Sequence, residues 1–259
     1  MHVYEDRFPL VPQATFKPPH APLADYLPVQ RALGLFRAVV VQPNGYGFDN
    51  RCTLEALRAL GANGRGIATV PADVATDELE RLTRAGVRGA RMHVLPGGML
   101  GWDALAPLAA RIAPFGWHIQ LQLDGRELPR YAAALAELPV PLVIDHIGKF
   151  LEPVTVDHPG FKALGTLVEA GNTWVKLSAP YETSRSGPPR YADVGALAAA
   201  LSRLNPERCL WASNWPHPGQ QHLPDTARLL DLLLDWVPDE ANRTRILVDN
   251  PAALYGFPA

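Results

Sequence analysis

Short apolar, β-branched segments alternate along this chain with longer segments whose apolar residues recur every three or four positions. The first pattern belongs to buried strands and the second to helices packed on them. Strand segments are expected at HVY (2–4), AVVVQ (38–42), GIATV (66–70) and VRGARMHV (87–94), and again at WHIQLQL (117–123), PLVIDH (141–146), TWVKLS (173–178) and RCLWAS (208–213). Helices are expected at LEALRAL (54–60), DELERLTRAG (77–86) and DALAPLAARIAPFG (103–116), then at PRYAAALAEL (129–138), ADVGALAAALSRL (192–204) and DTARLLDLLLDWV (225–237). Gly34, Gly61, Gly86 and Gly116 stand where a helical pattern stops, a position that favours a left-handed residue. Strands alternating with helices predict parallel pairing and right-handed crossovers. Eight of them favour closure into an α/β fold of the (β/α)₈ TIM-barrel type, one domain over 1–259. An open doubly wound sheet also fits the alternation, but no GxGxxG follows the first strand.

Composition narrows the picture. With 259 residues, 47% of them hydrophobic, the chain buries enough core to need neither disulfides nor a structural metal. A formal net charge of −2 without a long charged run argues against nucleic acid and against an anionic membrane as partners. Cys52 and Cys209 lack CxxC spacing and read as free thiols in a reducing compartment. Residues 1–20 carry Glu5, Asp6 and four prolines, unlike a secretory signal, and no run nears the roughly 18 apolar residues that span a bilayer. A cytoplasmic location is the expectation. The first strand has no lead-in before Met1, which leaves room for a truncated start and for an upstream His.

Polar residues at the C-terminal ends of barrel strands need a reason, and here they are many. The ends carry His2 and Tyr4, Gln42, Arg91 and His93, Gln122 and Asp124, Asp145 and His146, Lys176 and Ser178, then Asn214 with Trp215, Pro216 and His217. Residues two apart share a face, so Gln122 pairs with Asp124, and Arg91 with His93. Histidines, an arginine and amides together suit a small anionic substrate. A lone buried His is more often a core residue than a catalyst, but His146 ends a strand and leads into the IGKF loop. His93 points either into the mouth or into the helix layer, and one of Asp145 and His146 faces the mouth. Lys176 reads as a snorkelling side chain and Arg185 as a solvated cation. His20, His118, His158 and His222 receive no role; Tyr26, Trp117 and Trp236 read as packing.

Four segments in order, VRGARMHVLPGG, IDHIGKF, WVKLSAPYETSRSGPPRYAD and LWASNWPHP, resemble the amidohydrolase superfamily, in its amidohydrolase-related group of lactone hydrolases and isomerases. Metal-dependent members open with His-x-His and carry a metal-binding Asp on the eighth strand. This chain has His2 alone and Asn214, a neutral and weak ligand. The comparison implies an enzyme with no metal and no cofactor. Lactone-hydrolysing members activate water with the eighth-strand Asp and clamp carboxylates with two arginines after strand four. Arg91 matches the first arginine, while the second position falls at Gly97. The isomerising relatives share LPGG, the Gln122–Gly125 pattern and NWPH. The resemblance therefore implies a small carboxylated lactone as partner, isomerised by internal attack of a substrate hydroxyl. His146 would relay the proton, Asn214 and His2 would hold the oxyanion, and Arg91 and Arg185 would pair with the carboxylate. Gln122, Asp124 and Tyr181 would read hydroxyls, with His217, Tyr4 and Gln42 completing the binding set. A lactonase using His146 or His217, and a non-catalytic binder, are the alternatives.

Overall fold

The computed structural model of the chain describes residues 1–15 and 17–257; Phe16 in the 9–22 loop, and Pro258 and Ala259 at the end of the 1–259 span, lie outside them. Seven strands follow one another in a sheet in chain order: β1 (Ala38–Val41), β2 (Gly64–Ala68), β3 (Val87–His93), β4 (His118–Gln122), β5 (Leu142–Ile144), β6 (Thr173–Leu177) and β7 (Cys209–Trp211). The protein is thus an α/β fold on a parallel sheet. All seven fall on the second to eighth expected segments. The first segment is not a strand: Tyr4 makes only an isolated antiparallel bridge with Ala21. It is short and gives way to a stretch with Pro9 and Pro12, which cannot donate to a ladder. It is nonetheless held by backbone. Met1 N donates to Val39 O at 3.1 Å, Val41 N to Met1 O at 2.9 Å, and His2 N to Trp215 O at 2.8 Å.

The helices are α1 (Leu23–Ala32), α2 (Arg51–Leu60), α3 (Thr76–Arg84), α4 (Leu105–Ile112), α5 (Leu128–Ala136), α6 (Pro159–Glu169), α7 (Ala192–Leu204) and α8 (Thr226–Trp236), with two short ones, α9 (Glu240–Thr244) and α10 (Asn250–Tyr255), near the end. Four glycines after helical segments have positive φ, as expected: Gly34, Gly61, Gly86 and Gly116. The expected helix ranges do not include α1, whose end Gly34 marks, or α6. Pro28 interrupts the pattern of α1. In α6 the signal was present, with Pro159 in the first turn and Phe161, Leu164, Leu167 and Val168 buried along one face. Among the described residues no helix is long and apolar enough to cross a membrane.

The chain divides into two compact units, Met1–Leu121 with Asn214–Pro224, and Gln122–Ser213 with Asp225–Ala259. In the first, β1, β2 and β3 pair in parallel. The buried side of α2 is formed by Cys52, Thr53, Ala56 and Leu57, and Trp117 is fully buried with its indole donating to Thr83 Oγ1 at 2.9 Å. In the second, β5, β6 and β7 pair in parallel, and α7 packs against α8. A Cβ at Gly195 would come within 2.8 Å of the Trp236 indole nitrogen, so glycine permits that approach. α8 starts at Asp225, whose carboxylate accepts from Ala227 N at 2.8 Å and caps the first turn. Tyr26 and Trp236 are buried, as the packing reading required.

Candidate active site

In the second unit the chain leaves β5 through Asp145 and enters four consecutive left-handed residues: His146 (φ 53°), Ile147 (58°), Gly148 (86°) and Lys149 (43°). Left-handed backbone is strained for the three side-chain-bearing residues and persists where surrounding contacts fix it. The fold back turns His146 toward the end of β6, where its Nδ1 lies 2.9 Å from Ser178 Oγ. Its Nε2 lies 3.8 Å from Glu182 Oε1. The other Glu182 oxygen takes Lys149 Nζ. Burial lowers the His146 pKa from its ordinary 6.5, partly opposed by the negative charges of Glu182 and Asp145. The imidazole is neutral at neutral pH.

Asp145 and His146 point to different partners. The β5–β6 register, Ile144 opposite Val175, carries on to Asp145 and Lys176, whose side chains form an ion pair at 2.9 Å, only 2% and 7% exposed. Lys176 is therefore not a snorkelling side chain; its ammonium is buried against a carboxylate. Gln122 is buried at the end of β4. Asp124 caps the turn after β4, accepting from Arg126 N at 3.1 Å and Leu151 N at 3.3 Å and pairing with the Arg126 guanidinium at 2.6 Å. Burial pushes its carboxyl up, but these hydrogen bonds outweigh it and hold the pKa below its ordinary value. Tyr181 is half-buried in the turn that presents Glu182. Arg185 is exposed and pairs with Glu152, while its backbone N–H donates to Asp193 at 2.7 Å.

The first unit gathers a second set. His2 Nδ1 lies 2.9 Å from Val41 O, and Nε2 lies 3.2 Å from the Asn214 side-chain amide. A backbone carbonyl only accepts, so Nδ1 carries the hydrogen; in a neutral ring Nε2 accepts from the Asn214 amide N–H, and in a charged ring it donates to Oδ1. Asn214 is left-handed (φ 52°), and its carbonyl accepts from His217 N at 2.7 Å. The Tyr4 ring is tilted against those of both His2 and Tyr46, with ring centroids 6.3 and 6.1 Å away. Arg91 is buried on β3 and donates to the backbone carbonyl of Gln42 at 2.7 Å. The Gln42 side chain is committed to its own loop, donating to Gly47 O and Asp49 O and accepting from Thr53 Oγ1 at 2.6 Å. His93, with two directions open to it, is half-buried at the end of β3.

Two functional candidates escaped the sequence reading, Glu182 and Lys149. Both stood inside the quoted motifs. What was missing was their pairing across 33 residues, which a single sequence does not display. His2 faces an amide, and among the described residues no three His, Cys, Asp or Glu side chains come together to hold an ion.

A parallel α/β sheet with polar residues at its strand ends is the frame of an enzyme class whose sites lie at those ends. The chain belongs to the amidohydrolase family, whose model matches residues 1–257. It is 36% identical over 260 residues to D-galactarolactone isomerase of Agrobacterium fabrum, covering 98% of this chain and 89% of that protein. It is 34% identical over 261 residues to a 2-pyrone-4,6-dicarboxylate hydrolase of Comamonas testosteroni, covering 96% and 86%. A crystal structure of an Agrobacterium tumefaciens protein in its apo form superposes with a TM-score of 0.92 at 36% identity, covering 99% of this chain and 94% of the other.

Proposed function

We propose that this chain is an enzyme acting on the ring carbonyl of a small carboxylated lactone, and that it isomerises a sugar-diacid lactone without a metal. The observation that carries the reading is His146, buried and neutral, with Ser178 on one ring nitrogen and Glu182 beside the other. With Nδ1–H donating to Ser178 Oγ, the lone pair of Nε2 is the proton acceptor. The substrate hydroxyl gives its proton to Nε2 as its oxygen adds to the lactone carbonyl carbon. The ring C–O bond then breaks, and the departing oxygen takes the proton back. No water is consumed, and proximity within the bound substrate supplies much of the rate. Glu182, held by Lys149, offsets the charge of the transient imidazolium. The amide of Asn214, with His2 behind it, is assigned to the carbonyl oxygen, and Arg91 to the free carboxylate. In the same reading the chain is one (β/α)₈-type barrel domain over 1–259, with the backbone-held segment Met1–Tyr4 in the place of a first strand, and works in the cytoplasm.

Similarity to both an isomerase and a hydrolase keeps a second reading in view, in which water replaces the substrate hydroxyl. Proton NMR of galactaric, glucaric and pyrone-type lactones with the protein and a chelator separates the two. Conversion of a six-membered to a five-membered lactone without free acid is expected. Ring-opened acid as the sole product makes the protein a lactonase. No turnover until a divalent metal is added overturns the metal-free assignment.

A further inference from the structure

Along α2, at the N-terminal ends of β2 and β3, the first unit has a cavity of about 690 Å³. Six guanidinium side chains line it: Arg51 and Arg58 from α2, Arg65 from β2, Arg81 and Arg84 from α3, and Arg88 from β3. Glu55 is the one acidic residue of that lining. Arg91 stands toward the opposite end of β3, so this cavity is separate from the residues assigned to the lactone.

The whole chain carries a formal charge of −2, so the cluster is a local concentration rather than a symptom of overall basicity. Like charges held together destabilise a compact state unless something offsets them. Arg51 pairs with Asp49 at 2.6 Å, Arg81 with Glu78 at 2.7 Å and Arg84 with Glu80 at 3.5 Å, acidic residues outside the lining. Arg65 and Arg88 are fixed differently. Arg65 Nη1 donates to Ala62 O at 3.1 Å and Gly64 O at 2.8 Å. Arg88 Nη1 donates to Thr83 O at 2.9 Å and Val87 O at 2.8 Å. These carbonyls hold the two guanidinium groups in place. Burial, then the like charges of Arg88 and Arg37, lower the pKa of Arg65, and burial lowers that of Arg88. Oriented, partly desolvated guanidiniums sharing one cavity are what a polyanion needs.

The lining also selects among anions. A cavity of this volume suits a small molecule. No aromatic side chain lines it, so it offers no platform for stacking a base. Guanidinium forks match phosphate oxygens in pairs, so a ligand with several phosphate groups can engage several of these side chains at once. We propose that this cavity binds a small molecule carrying two or more phosphate groups through Arg58, Arg65, Arg84 and Arg88.

The test is isothermal titration calorimetry of the intact protein with sodium tripolyphosphate, with ATP, and with sulfate as a simple anion. Saturable one-to-one binding of tripolyphosphate, weakened by added salt, is expected. Arg58 and Arg84 are exposed, so Arg58→Gln and Arg84→Gln leave the fold intact, checked by unchanged melting, and each weakens binding about tenfold. ATP binding as tightly as tripolyphosphate assigns recognition to the phosphate chain, and tighter ATP binding extends the site to a nucleotide. Absence of saturable binding, sulfate binding as tightly, or unchanged affinity in both variants overturns the proposal. Lactone turnover stays unchanged in these variants, so the outcome is independent of the catalytic reading.

Discussion

His146 is a histidine whose task is set by its surroundings. Burial keeps it neutral below the usual histidine range, and Glu182 pulls in the opposite direction. A base active in its neutral form loses activity only on the acid side. The kcat/KM profile is therefore expected to be flat at neutral pH and to fall only below 6.5, the ordinary histidine value. Removing Glu182 removes a group that raises the pKa, so in Glu182→Gln the acid limb moves to still lower pH while kcat drops. A limb that moves upward would contradict the assignment of Nε2 as the base. His146→Asn is expected to lower kcat by about 10²–10⁴ with unchanged circular dichroism. Asn214 carries the other half of the proposed mechanism. An aspartate there supplies the carboxylate that activates water, so Asn214→Asp should release ring-opened acid, read by proton NMR. Unaltered products from that variant would remove Asn214 from the reaction.

At the scale of elements, β5 and β6 share a buried ion pair that the sheet register creates. Lys176→Met leaves Asp145 as an uncompensated buried carboxylate and is expected to cost about 3–5 kcal/mol, measured by urea unfolding. The double change Lys176→Met with Asp145→Leu removes both charges and should recover most of that loss. If the single variant unfolds like the parent, the pair is not a structural element. Next to it, the left-handed run from His146 to Lys149 brings the imidazole to Ser178. β5 supplies the position and the turn supplies the direction. The Asp193 carboxylate likewise gathers the 184–186 loop, accepting from Ser186 Oγ and the Arg185 N–H, both at 2.7 Å.

For the molecule as a whole, the proposed reaction uses no metal, and among the described residues no three His, Cys, Asp or Glu side chains come together to hold an ion. Exhaustive chelation is expected to leave turnover unchanged, with elemental analysis finding well under one zinc per chain. Activity lost to the chelator and restored by zinc would reverse that view. The arginine cavity and the candidate active-site residues answer different chemistries, a polyphosphate and a carboxylated lactone. They can be tested separately on the same purified protein.

Sequence alone determined the alternation of strands and helices, the glycine stops and the family, because buried periodicity and motif order are local properties of the chain. It also picked out His146, Asn214, His2 and Arg91, since polar residues at apolar strand ends stand out in one dimension. It did not yield the partners. That Lys176 meets Asp145, that Glu182 meets both His146 and Lys149, and that Gln42 and Asp124 are committed to neighbouring turns depends on register and on left-handed backbone. The arginines of the cavity are spread singly over residues 51–88, so the sequence does not show them as a group. Only the tertiary structure, by setting α2 and α3 against the starts of β2 and β3, gathers them around one space.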